Sequence, residues 1–212
     1  MRDIPVFNTE NGVASLILEQ IPYQQTAYIR IQSSLEPNLL VEECAQFCRA
    51  CGAERIYAAG AELETFWPVH TVLWQMCCPK DALEDTAAAL FPVQEHTLEA
   101  WREIYNRKVS HIPNGAWMTE KLGKEMLRKG DGYFVHRDRQ LLGIGRVSSG
   151  TIDWVASVSP GAGAQVVKTL AQITTEPVIQ LTVASTNEKA VRLYEGLGFL
   201  KSRELSKWYQ IL

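Results

Sequence analysis

Hydrophobic and polar residues alternate along the first part of the chain with the period of two that is typical of β-strands. Segments 13–20 and 26–32 follow this alternation, and a connection that contains Pro22 joins them. A helix is then predicted from an N-cap at Asn38 to a stop at Gly52. The elements predicted after it are strands at 55–59 and 71–78 and a helix at 81–90 that ends before Pro92.

The second half of the chain begins with helical periodicity and then changes to strands. Helices are predicted at 97–109 and 119–128, the second of them closed by Gly130. The elements predicted after them are strands at 133–136, 141–147 and 151–158, a helix from 164 to 171, a strand at 178–183, a helix at 188–196, and closing strands up to 212. This order predicts an α/β (α+β) fold in which helices flank a mixed, largely antiparallel sheet.

Composition and charge narrow the classes of function. The chain has 212 residues, of which 46% are hydrophobic, so it can form one large domain or two small ones. The order of elements favours two, which we place at 1–92 and 93–212. A net charge of −3 argues against nucleic-acid and anionic-membrane partners, since both bind basic surfaces. The sequence shows neither an apolar run of about 20 residues nor an apolar segment of the secretory type at its start. We therefore expect a cytoplasmic protein.

A motif near the end of the chain combines several residue types at fixed spacing. It reads Asn187-x-x-Ala190-x-x-Leu193-Tyr194-x-x-x-Gly198-Phe199, after an apolar strand and before the closing strands. Ser185-x-x-Glu188 fits a capping box at the helix start, and Gly198 suits a left-handed helix exit. Together with the order of elements from Thr97 onward, this motif resembles the GNAT superfamily of N-acetyltransferases. The resemblance implies the GNAT acyl-CoA N-acyltransferase fold, single or tandem.

Small residues also separate a predicted strand from a helix at 158–163. Free N–H groups at a helix N-terminus bind phosphate oxygens, and glycines such as Gly161 and Gly163 let the backbone approach a ligand closely. In GNAT proteins the diphosphate of CoA binds here, in a loop resembling Arg/Gln-x-x-Gly-x-Gly. Val158 occupies the Arg/Gln position in this chain, and the loop is shorter. Lys168, one turn into the helix, is a candidate replacement for the missing charge.

The resemblance assigns a reaction and a set of residues. An amine of a small molecule or a peptide attacks the thioester of acetyl-CoA, and a phenol can give a proton to the departing sulfur. Tyr194 matches the position of that donor, and Asp153 is a candidate base. The predicted contacts of the cosubstrate are Val155, Ala156, Ser157, Val158, Gly161, Gly163, Ala164, Gln165, Lys168, Asn187 and Tyr194. No metal is expected, and a homodimer is compatible with the sequence.

Each assignment has a structural alternative. Tyr194 is also explained by packing of the helix on the sheet, and Asn187 by helix capping. Asp153 is equally explained as an exposed residue at a strand edge. A GNAT-fold protein that binds a partner without catalysis is the alternative to the enzyme.

The first half of the chain has two open questions of its own. Its helix and following strand repeat the order of 164–185, which suggests a degenerate GNAT-like repeat without chemistry. Cys44, Cys48 and Cys51 have the spacing of iron–sulfur ligands, but they fall on the apolar stripe of the predicted helix. Because a buried cysteine behaves as a small hydrophobic residue, core packing is the favoured interpretation.

Overall fold

The computed structural model describes residues 5–61, 63–110, 112 and 115–212, and the chain divides into two units. Unit 1 comprises the residues up to Leu73 together with Leu205–Leu212, and unit 2 comprises Trp74–Glu204. The division differs from the boundary at 92 and 93 that we placed from the sequence. Separate roles for the two halves of the chain stay a prediction.

Unit 1 contains an antiparallel meander followed by a helical crossover. Its elements are β1 (Val6–Thr9), β2 (Gly12–Ile17), α1 (Ile21–Gln24), β3 (Thr26–Ser34), α2 (Pro37–Ala50) and β4 (Arg55–Ala59). Strands β1, β2 and β3 pair antiparallel, and α2 returns the chain so that β4 pairs parallel with β3. The buried residues of α2, among them Leu40 and Cys44, pack on the sheet in one apolar core.

Unit 2 repeats this plan and adds helices. Two strands, β5 (Val69–Pro79) and β11 (Leu200–Gln210), contribute residues to both units. The elements between them are β6 (Ala89–Pro92), α3 (Leu98–Val109), α4 (Glu120–Lys129), β7 (Gly132–Arg137), β8 (Gln140–Ser148), β9 (Thr151–Ser157), α5 (Gly163–Gln172), β10 (Val178–Ala184) and α6 (Glu188–Gly196). The neighbour order is β5-β10-β9-β8-β7-β6, with β10 parallel to β9 and the pairs from β9 to β6 antiparallel.

Two apolar cores form within unit 2. One joins α5 and α6 to the strands through Val166, Leu170 and Tyr194, and the other joins α3 and α4 to them through Trp101 and Met126. Helices therefore pack on a mixed sheet, and the fold class predicted from the sequence is confirmed.

The turn between β7 and β8 and the two ends of α4 lie where the sequence predicts them. Asp138 and Arg139 have φ angles of 51° and 64°, so a left-handed turn joins β7 to β8. The Thr119 side chain accepts a hydrogen bond from the N–H of Leu122 at the start of α4, and Gly130 ends that helix with a φ of 66°.

The predictions for 81–90, for the start of α2 and for the end of the chain were wrong. The segment 81–90 is not a helix: it has one short 3-10 turn at Lys80–Ala82, and Leu90 pairs with Val135 in the sheet. Asn38 is not the N-cap of α2, because Pro37 already occupies the first helical turn after Glu36. The closing strands are a single strand, β11.

The predicted repeat is visible in the topology of each unit. In unit 1 an antiparallel meander leads through α2 to a parallel strand, and in unit 2 β7, β8 and β9 lead through α5 to β10 in the same order.

Within the described ranges, no helix is long and apolar enough to cross a bilayer. Among the same residues, no group of three or more His, Cys, Asp or Glu is placed to hold a metal ion.

Two of the three cysteines between residues 44 and 51 confirm the packing interpretation. Cys44 and Cys48 are fully buried in the core of unit 1, whereas Cys51 follows the end of the helix and is exposed. Burial raises the pKa of the Cys44 thiol to about 12 and that of Cys48 to about 11.

We expect these buried thiols to make the folded protein less stable in alkali. An unfolded chain ionises its thiols above about pH 9, while the folded chain keeps both protons, so the free energy of unfolding falls as pH rises from about 9 to about 12. Urea titrations at about pH 8 and about pH 10 measure this slope. A smaller slope is expected in a Cys44→Ala/Cys48→Ala variant, and an identical slope would contradict the assignment.

Candidate active site

The strands β9 and β10 separate soon after they begin. They pair at only two positions, Thr151 with Gln180 and Ile152 with Leu181. Farther along β9, the N–H of Val158 donates to the carbonyl of Leu142 on β8 at 2.8 Å. Because peptide groups of a strand alternate between its two sides, those of Val155 and Ser157 face the side away from β8, where β10 has departed.

A bulge in β9 sets which side chains flank this gap. The register with β8 shifts so that Arg146 faces Trp154 while Val147 faces Ile152, which leaves Asp153 as the extra residue. Beyond the bulge, Val155 packs with the core under α5 and α6, and Trp154 packs with the core under α3. The backbone of β9 therefore forms one wall of the gap, and the Trp154 side chain lies on the face of the sheet opposite to Val155.

The loop from β9 leads into an uncapped helix N-terminus. Helix α5 begins at Gly163 after Ala162, which has no side-chain oxygen, and the N–H groups of Gly163, Ala164 and Gln165 have no acceptor in the described structure. Such N–H groups with the helix dipole attract anions. Gly161 has a φ of 76°, and a Cβ added there would meet no atom within 4 Å. Open space thus adjoins the first turn of α5.

Close packing holds this turn beside the strand and beside α6. A Cβ on Gly143 of β8 would lie 2.5 Å from the carbonyl oxygen of Ala156 and 2.7 Å from Val166 of α5. A Cβ on Gly163 would lie 2.9 Å from the Leu193 side chain of α6. These contacts bring the N-terminus of α5 next to the helix that carries Tyr194. A glycine at 143, among the apolar residues of a strand, is the sequence signal for such a close approach.

Tyr194 is buried in the core under α5 and α6. Its exposed fraction is 6%, and its ring lies 5.9 Å from that of Phe199. Among the described residues its hydroxyl has no hydrogen-bond partner. Burial raises the pKa of Tyr194 to about 12, so the phenol keeps its proton at neutral pH. Val155 and the α5 residue Val166 belong to the same core, so the structure brings Tyr194 together with the predicted cosubstrate strand and helix.

Asn187 is the N-cap of α6. Its side-chain oxygen accepts a hydrogen bond from the N–H of Ala190 at 3.4 Å, so capping is confirmed, although the cap is Asn187 and not Ser185. A contact of Asn187 with the cosubstrate stays a prediction.

Asp153 lies in a different group of residues from Tyr194. Its carboxylate accepts a hydrogen bond from the Ser148 hydroxyl at 2.6 Å and lies 3.6 Å from Arg146 Nε. Arg146 also pairs with Asp131 at 2.8 Å and stacks on the Trp154 ring at 4.6 Å from its centroid. Asp153 therefore belongs to a polar network at the start of β9.

Two further predicted contacts have unexpected surroundings. Val158, which occupies the Arg/Gln position of the GNAT loop that the sequence resembles, is 37% exposed. Lys168 forms an ion pair with Glu84 at 2.7 Å instead of standing free beside the first turn of α5. Sequence reasoning missed Glu84, because the segment around it was interpreted as a helix.

Unit 1 differs at the two corresponding places. Strand β4 pairs with β3 along its whole length, from Thr26 with Arg55 to Arg30 with Ala59. Helix α2 begins at Pro37 with Glu36 as its N-cap, where α5 has small residues. The repeat in unit 1 therefore has no gap between its parallel strands. The start of its helix is also less suited to an anion, because a carboxylate repels anions and a proline has no N–H to donate.

Comparison with known proteins places the fold. The sequence matches no protein-family model and no curated protein. Among solved structures, it is similar to a conserved protein of unknown function from Staphylococcus epidermidis ATCC 12228, at 11% identity and a TM-score of 0.62 over 99% of this chain and 94% of that one.

Acetyltransferases are among the other similar structures. A GCN5-related N-acetyltransferase from Sphaerobacter thermophilus has 12% identity and a TM-score of 0.57, with 93% of this chain and 75% of that one covered. A tandem GNAT protein from the clavulanic acid biosynthesis pathway has 11% identity and a TM-score of 0.51, with 97% and 80% covered. At such identities the likeness concerns the fold alone, and the chain has the GNAT fold of acyl-CoA N-acyltransferases.

Proposed function

We propose that the protein is an N-acetyltransferase that moves the acetyl group of acetyl-CoA to an amine of a small molecule or a peptide. The observation that carries the proposal is the divergence of β10 from β9, which leaves peptide groups of Val155 and Ser157 unpaired beside the uncapped first turn of α5. An extended pantetheine arm has amide groups that pair with such a strand edge. A diphosphate is suited to the free N–H groups of Gly163, Ala164 and Gln165.

In the proposed reaction, β9 and Tyr194 have different roles. The amine nitrogen forms a bond to the thioester carbonyl carbon, and the carbon–sulfur bond breaks. Peptide N–H groups of β9 stabilise the negative charge that develops on the carbonyl oxygen. The Tyr194 hydroxyl gives its proton to the departing sulfur, and solvent returns a proton to the phenolate after turnover. The nitrogen of the new amide releases its extra proton to solvent. The amine must also lose one proton to solvent before it attacks, since its ammonium form has no free lone pair.

Asp153 was a candidate for taking that proton, and its contacts favour a structural role. We expect Asp153→Asn to change kcat/KM by less than about threefold, because the hydrogen bond from Ser148 and the contact with Arg146 already engage the carboxylate. A fall of about a hundredfold with the normal affinity for acetyl-CoA would instead make Asp153 the base.

The alternative is a GNAT-fold module that binds without catalysis. Val158 favours this alternative, since an exposed apolar residue stands where the GNAT loop has Arg or Gln. Release of free CoA thiol from acetyl-CoA, followed with a panel of small amines and peptides, separates the two functions. We predict release that depends on one class of amine. Binding of acetyl-CoA without release in the presence of any amine would support the binding module.

A further inference from the structure

The segment Lys80–Thr86, here called the strap, is fastened to α5 by polar side chains. The Lys80 ammonium donates to the carbonyls of Gln172 and Thr174 at 3.2 and 2.5 Å, at the end of that helix. Asp85 accepts a hydrogen bond from the Gln172 amide at 3.2 Å, and the hydroxyls of Thr86 and Thr169 lie 2.7 Å apart. Open space of about 790 Å³ lies against the strap and Pro177.

One fastening joins the strap to the anion-binding end of α5. The Lys168 ammonium donates to the Glu84 carboxylate at 2.7 Å, and this hydrogen bond and the lysine charge lower the pKa of Glu84. Lys168 lies four residues after Ala164 and three after Gln165, and helical side chains point back toward the N-terminus. The ammonium is therefore on the helical row that leads to the first turn, but Glu84 holds it.

The charges favour an exchange of partners. The Glu84 side chain is 85% exposed and that of Lys168 is 20% exposed, and an ion pair with so exposed an acid contributes little because water and salt screen it. A diphosphate carries two negative charges and receives hydrogen bonds from the same turn of the helix. It is the stronger partner for the ammonium group.

We propose that the Lys168–Glu84 ion pair is an exchangeable contact that couples acyl-CoA binding to the strap: Lys168 leaves Glu84 for the diphosphate, and the strap loosens. The inference rests on the proposed function, because it requires the diphosphate at the first turn of α5. Lys168 thereby supplies the charge that Val158 does not, and Glu84 sets how much of the binding free energy is used to break the ion pair.

Calorimetry with CoA as the ligand tests the exchange through two matched variants of the full chain. Glu84→Gln removes the competitor for Lys168, and we expect CoA to bind about two- to fivefold more tightly. Asp85→Asn removes the same charge from the adjacent strap residue, whose partner Gln172 is neutral, and we expect an affinity close to that of the parent protein. In a Lys168→Met background the effect of Glu84→Gln should disappear.

Hydrogen exchange gives the readout that affinity alone does not. With saturating CoA, the amides of the strap should exchange faster in the parent protein, and their rates should be independent of CoA in Lys168→Met. CoA binding with unchanged or slower strap exchange, and equal affinities for Glu84→Gln and Asp85→Asn, would overturn the exchange and leave the proposed function standing. Absence of CoA binding would remove both.

Discussion

Replacement of Tyr194 by phenylalanine should lower kcat for acetyl transfer by about a hundredfold and leave the affinity for acetyl-CoA nearly unchanged. The hydroxyl is the only group removed, and loss of a positioned general acid has effects of about this size. Because burial raises the pKa of Tyr194 to about 12, the donor keeps its proton across the neutral range, and its contribution should persist until the pH approaches that value. Single-turnover rates at saturating acetyl-CoA measure the effect without interference from binding.

The stability of the Tyr194→Phe variant decides how the result is interpreted. The hydroxyl has no hydrogen-bond partner among the described residues, so its removal should leave the free energy of unfolding within about 0.5 kcal/mol. Tyr105→Phe is the matched control, since Tyr105 is a second buried tyrosine of unit 2 whose pKa burial also raises, in the core under α3. Equal turnover in all three proteins would show that Tyr194 has only a packing role.

A carboxylate in the first turn of α5 should abolish most binding of acetyl-CoA. Ala164→Asp places a negative charge beside the N–H groups that we assign to the diphosphate, and repulsion of about 2 kcal/mol or more at an effective dielectric constant of about 20 corresponds to at least about a thirtyfold rise in Kd. The helix dipole stabilises a negative charge at this end of the helix, so thermal stability should be unchanged or slightly higher. Loss of affinity without loss of stability distinguishes a ligand contact from damage to the fold.

Helix α2 provides the matched control for this variant. Asn38→Asp adds the same charge at the second helical position of the repeat in unit 1, where Glu36 and Pro37 precede it. Since that turn is not an anion site in our account, acetyl-CoA should bind Asn38→Asp as it binds the parent protein. A similar loss in both variants would mean that net charge, and not the first turn of α5, controls the affinity.

Local sequence signals predicted those elements whose causes lie within a few residues. Helix α4 begins next to Thr119 and ends at Gly130 as expected, and the turn after β7 forms at Asp138 and Arg139. The helix predicted at 81–90 was wrong because its conformation depends on residues far away in the chain. Its composition favours a helix, but Asp85 bonds to α5 and Leu90 pairs with β7, and such tertiary contacts override propensity.

The features of the candidate site were likewise predictable only where their causes are local. The motif around Tyr194 and the small residues at Gly161 and Gly163 were visible in the sequence because they are local. The divergence of β10 from β9 and the ion pair of Lys168 with Glu84 join residues far apart in the chain, and no local pattern reports them. Hence the sequence indicated the elements that surround the gap, whereas the gap itself required the structure.

Calorimetric titration of the protein with acetyl-CoA tests the central claim, that the gap beside β9 and the first turn of α5 form one acyl-CoA site. We predict saturable binding of one acetyl-CoA per chain, with protection from hydrogen exchange at 155–165 and none at 36–40, because unit 1 has its gap closed by pairing. Absence of binding at millimolar acetyl-CoA, or protection at the start of α2 instead of α5, would contradict the account.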